Sequence, residues 1–111
     1  MLLLYLDTFN AGLGRTNTTL TRTDSFFLAS RITGGQKIFR AGTQIASTTT
    51  NAGTRPNIPL FIGAANTTGG AVAFSNFQTA FASIGDGLTD TQAANFYTAV
   101  QAFQTTLGRQ V

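Results

Sequence analysis

Residues 80–111 read AFASIGDGLTDTQAANFYTAVQAFQTTLGRQV, and three kinds of local structure follow from them in order. An apolar strand ends at Gly85, a tight acidic turn occupies Asp86-Gly87, and an amphipathic helix covers residues 89–107. Thr89 fits an N-cap, because its hydroxyl can accept a bond from an otherwise unsatisfied first-turn N–H. Gln92, three residues on, completes a capping box, and Leu88 just before the cap is placed as a hydrophobic staple. Asp90 lies where a negative charge suits the helix dipole, with Arg109 at the opposite end. Phe96, Val100, Phe103 and Leu107 recur at spacings of four, three and four and so share one stripe. Gly108 is the natural terminator. The opposite face is Gln, Thr and Asn, so the helix is expected to pack on one side only. Nothing else in the chain has a helical pattern.

Upstream, the apolar residues recur with the period of strands. Leu2–Leu6 is a short apolar run suited to a strand buried on both faces. A signal peptide is the weaker reading of MLLLYLDTF: no basic residue opens it, the run stops at Asp7, and no small-residue cleavage pattern follows. Residues 10–17 contain Gly12 and Gly14 and read as a loop or hairpin. Gly12-x-Gly14-Arg15 lacks the Lys-Ser/Thr and helix that a phosphate loop requires. Residues 18–23 alternate weakly, as a partly exposed strand does. Residues 25–32, SFFLASRI, set Phe26, Leu28 and Ser30 against Phe27, Ala29 and Arg31 and form a strand, broken at Thr33-Gly34-Gly35.

Residues 36–47 form a hairpin: with Ala41-Gly42 as a two-residue turn, Ile38 faces Ile45 and Phe39 faces Gln44. Ala41 suits a type I′ turn poorly, since both central residues then need positive φ. A type II turn with Gly42 at positive φ, or a longer loop, are the alternatives. Residues 48–59 read as a long connection between sheets, and residues 60–65 as another core strand closed by a polar turn. Residues 71–84 carry Phe74, Phe77, Phe81 and Ile84 on a strand bent or bulged at Ser75-Asn76.

Composition excludes several classes of function. The chain has 111 residues, of which 42% are hydrophobic and only 10% charged, so one domain with a modest core and an uncharged polar surface is expected. Twenty Thr supply much of that surface and favour strands. The basic residues Arg15, Arg22, Arg31, Lys37, Arg40, Arg55 and Arg109 are dispersed singly, whereas nucleic-acid binding needs a patch or stripe. The net charge of +3 and the pI near 10.2 reflect four Asp and no Glu. Absence of Cys removes disulfides, thiolate metal sites and thiol redox chemistry, and absence of His removes imidazole bases and ligands. Four scattered Asp offer little to paired-carboxylate catalysis. No enzyme, cofactor or metal site is expected. No segment approaches the roughly 18 apolar residues of a membrane span.

Taken as an ordered set, KIFRAGTQIAS, LFIGAAN, AFASIG and DGLTDTQAANFYTAVQAFQ resemble the C-terminal half of laminin-G-like, concanavalin A-like domains. The versions most similar are those of virion and tail-associated proteins of bacteriophages. Phe39, Gly42, Ile62, Gly63, Leu88, Thr89 and Asp90 match that family's pattern, while Ala41 replaces its Asn and Gln92 its Glu. The resemblance covers residues 25–111 and implies an all-β, jelly-roll-like antiparallel β-sandwich with one C-terminal amphipathic helix. The strands that precede this half in the family are largely missing. The single domain over residues 1–111 is then a fragment, or a shortened sandwich completed by another subunit.

The function so implied is a non-enzymatic phage virion structural or adhesion module, assembling with itself as a homo-oligomer or with other virion proteins. Its location is the phage particle or, alternatively, the extracellular space. The alternative function is a lectin-like module that binds host glycans. For glycan contact, Phe39 offers a ring to stack on sugars, and Arg31, Arg40, Asn66 and Asn76 offer planar hydrogen-bonding groups. Each has an ordinary structural role beside it: Phe39 and most of the ten Phe as core, the Asn as turn residues, the Arg as edge blockers. Asp86 and Asp90 are too few for calcium, which takes six to eight oxygens.

Overall fold

The computed structural model describes residues 2–6, 16–22, 24–49, 57–66 and 69–109. Of the loop or hairpin read over residues 10–17, residues 10–15 lie outside them while Thr16 and Asn17 open a strand, and most of the connection over 48–59 lies outside them too. The chain falls into two compact units, Met1–Arg55 with Asp86–Val111, and Pro56–Gly85.

In the first unit, β1 (Leu2–Leu6) and β2 (Thr16–Leu20) form an antiparallel ribbon with Leu4 opposite Thr18. The strands β3 (Phe27–Ile32), β4 (Gly35–Arg40) and β5 (Thr43–Thr48) make an antiparallel meander in that order. The strand predicted over 25–32 and the hairpin predicted over 36–47 are both present, and β2 runs close to β5. Helix α1 (Asp90–Thr106) is the last element.

The β4–β5 register departs from expectation in one place. Phe39 faces Gln44 as predicted, but Ile38 faces Ala46 instead of Ile45, because the pairing slips by one residue between Ile38 and Phe39. Ile45 is the inserted residue, and a bulge of this kind adds local twist to the strand pair. The turn is also of type I′ rather than type II or a longer loop: Ala41 has φ 48° and Gly42 φ 76°, both positive. Central strand β4 is enclosed on both faces, with Ile38 only 1% and Phe39 only 2% exposed.

Helix α1 begins as its sequence requires. The Thr89 hydroxyl accepts from the Gln92 N–H at 3.3 Å and the Gln92 amide oxygen accepts from the Thr89 N–H at 2.9 Å. It ends in a Schellman motif: Gly108 N–H donates to the Thr105 carbonyl, Arg109 N–H to that of Gln104, and Gly108 takes φ 68°.

Its buried face keeps Val100 of the predicted stripe, with Phe96 packed on Phe26, and departs from that stripe in the last two turns. Ala93, Val100 and Gln104 are buried while Phe103 and Leu107 are about half exposed. Two contacts set this rotation. Phe26, just before β3, packs edge-on against Phe96 at 5.9 Å and lies 6.0 Å from Tyr97. The β4–β5 turn rests on Tyr97 at Gly42, where an added Cβ would meet the ring at 3.0 Å. Ala93, which is fully buried, lets the helix come close, and the face that continues from it carries Gln104.

The second unit corrects the reading of residues 60–65 and 71–84 as core strands. Only Ala65–Asn66 (β6) and Ala71–Val72 (β7) pair, and the rest of 57–85 has no regular ladder among the described residues. Leu60 and Phe74 are 71% and 77% exposed, so these apolar runs are not filling a core here. The expectation that most Phe are core fails with them: among the described residues Phe39 is the one fully buried.

The jelly-roll-like β-sandwich implied by the resemblance is therefore absent. Among the described residues the sheets have two, three and two strands and stay open, and the fold is mixed α and β rather than all-β. A closed sandwich needs two sheets with facing apolar sides, and the strands that had to supply the second sheet do not form.

Candidate functional site

Each residue expected to contact a glycan has a definite place. Phe39 lies inside the first unit and offers no ring face to solvent. Arg31 and Arg40 are half-buried on β3 and β4. Asn66 and Asn76 belong to the second unit. The Asn66 amide is engaged by its own chain: its Nδ2 donates to the Pro59 carbonyl at 2.8 Å and its Oδ1 accepts from the Gly69 N–H at 2.7 Å. That is a turn-closing role for an Asn side chain. Asn76 is exposed. The structure thus divides the five candidates between two units, three in one and two in the other.

The charged groups are mostly occupied locally. Lys37 Nζ donates to both Asp90 carboxylate oxygens at 2.6 and 2.9 Å, tying β4 to the start of α1. Arg22 grips Asp24 through two hydrogen bonds of 2.9 and 2.6 Å. Those hydrogen bonds hold the Asp24 carboxyl below its ordinary range and raise the Arg22 guanidinium, with both groups in solvent. Such exposed pairs order the surface more than they stabilise it. Among the described residues no three potential metal-ligating side chains gather, and no helix is long and apolar enough to cross a membrane.

The segment that enters α1 is clamped to β3. The Ser30 hydroxyl donates to the Leu88 carbonyl and accepts from the Leu88 N–H, each at 2.7 Å. Gly87 lies so close to β3 that a Cβ there would fall on the Arg31 carbonyl. This covers the outer edge of β3, one of the ways proteins protect an edge strand.

The most exposed large apolar side chains among the described residues are in the second unit. Leu60, Ile62, Phe74, Phe77 and Ile84 are 57–81% exposed there, with Ile58 and Val72 less so. The same unit contains no charged residue: every Asp, Arg and Lys of the chain lies at or before Arg55 or at or after Asp86. Its polar side chains are all amides and hydroxyls. Apolar side chains scattered singly over a surface are normal; their concentration in one small uncharged unit sets this segment apart. The signal was legible in the sequence as a 30-residue gap between charges. Hydrophobic runs alone, read as strands, concealed it.

Comparison with known proteins finds no matching family model, no similar curated protein and no similar solved structure. With the sandwich also absent, the likeness to concanavalin A-like and laminin-G-like domains of phage particles does not stand, nor do the jelly-roll, lectin and viral descriptions drawn from it.

Proposed function

We propose that this protein is a non-enzymatic interaction module that uses the uncharged apolar surface of residues 56–85 to join a protein assembly. One observation carries the reading: five large apolar side chains in that unit stand more than half exposed and no charge accompanies them. At about 1.5–3 kcal/mol for each apolar side chain fully covered, and with these five 57–81% exposed, covering them is worth on the order of 5–10 kcal/mol before the costs of association. A segment of this size has too little interior to bury those groups within itself.

The supply of catalytic groups points the same way. His and Cys are missing, and of the four Asp, Asp24 and Asp90 are held in ion pairs. A glycan platform finds no support in Phe39, whose ring is enclosed, and an Asn66 that already bonds its own backbone has less to offer a sugar.

Hydroxyl-radical footprinting of the chain in dilute solution tests the reading at the side chains that carry it. Phe74, Phe77 and Ile84 are expected to react like exposed residues, and Ile38 and Phe39 to be protected. Protection of the first three in the dilute chain means that it covers them itself, and the proposal is then lost.

A further inference from the structure

We infer that the partner met by residues 56–85 is a second copy of this chain, an inference that rests on the interaction reading above. The chemistry of the unit is complementary to itself. All its polar side chains are amides or hydroxyls, each both donor and acceptor of hydrogen bonds, so a symmetric contact can pair them with their own kind. A charged group close to the two-fold axis would face its like there, and the unit has no charged group. Elsewhere the chain carries a net charge of +3, so two copies meet at least electrostatic cost through this unit.

Other occupants fit less well. Segments that lie on membrane surfaces carry Lys and Arg on their polar side and Trp or Tyr at the boundary. Residues 56–85 have neither basic side chains nor Trp or Tyr. Nucleic acid requires cations to replace its counterions, and the unit supplies none.

Sedimentation velocity of the full chain between about 1 and 200 µM, with footprinting across the same range, decides the matter. The expected result is reversible association, with Phe74, Phe77 and Ile84 becoming protected as concentration rises. Phe74→Asp and Ile84→Lys should each weaken the association at least 100-fold while leaving the circular dichroism spectrum unchanged. A chain that stays monomeric to 200 µM with those side chains reactive overturns the second-copy inference and leaves the interaction reading in place. Association that both variants leave intact also overturns the inference, since another face then holds the copies together. Protection already complete in the dilute monomer ends both readings. The wild-type footprint gives an answer even if a variant fails to fold.

Discussion

Ala41 occupies a left-handed backbone position at φ 48°, which costs a residue with a Cβ about 1 kcal/mol and an Asn less. Ala41 is exposed and its side chain has no packing role to lose, so Ala41→Asn is expected to stabilise the fold by about 0.5–1 kcal/mol in chemical denaturation. Gly87 is the opposite case. Its backbone lies against β3, and the obstacle an added methyl would meet is a carbonyl of the Arg31 main chain rather than a movable side chain. Gly87→Ala should therefore cost about 2 kcal/mol or more, and it should loosen the Ser30–Leu88 clamp, visible as faster amide exchange at Leu88. An effect under 0.5 kcal/mol would show that the 86–89 segment is not held against the sheet.

Among the elements, α1 separates what local chemistry sets from what packing sets. Its start at Thr89 and its end at Gly108 were both readable, since a capping box and a C′ glycine act over a few neighbouring residues. Its inward face was readable only as far as Phe96 and Val100. Choosing between Phe103 and Gln104 depends on how Phe26 and the Gly42 turn meet the rings at 96 and 97, and no window along the helix contains that information. The outcome buries Gln104, whose side-chain oxygen and nitrogen find no hydrogen-bond partner among the described residues. A buried unpaired amide is costly, so Gln104→Leu is expected to raise stability by about 1–2 kcal/mol, a gain of several degrees in melting temperature. A loss of stability would mean that the amide is bonded in solution. The short strands β6 and β7 teach a related point: runs such as 60–65 have strand-like composition, but a strand forms only where a partner strand and a surface to cover exist.

For the whole molecule, the distribution of charge matters more than its total. A net +3 spread over the first unit and an uncharged second unit predict an association that salt hardly weakens. Raising sodium chloride from about 0.05 to 0.5 M should change the self-association constant less than threefold, and sodium sulfate should strengthen it, as expected for apolar burial. Strong weakening by sodium chloride would instead point to Lys37, Arg31 or Arg40 as contact residues. The buried apolar side chains among the described residues are few: Ile38, Phe39, Ala93 and Val100. The sequence by itself determined the local facts: the ends of α1, the strand-turn-strand of β3 to β5, the absence of His and Cys, and the charge-free interval from 56 to 85. These depend on capping bonds, turn residues and composition, all properties of near neighbours or of the list of residues itself. Tertiary structure alone decided that the sheets stay open, that the helix turns Gln104 inward, that the β4–β5 register slips at Ile45, and that the Phe-rich runs after residue 60 lie exposed. Apolar runs are written alike whether they end inside the chain or on its surface, and only the presence or absence of a packed partner separates the two.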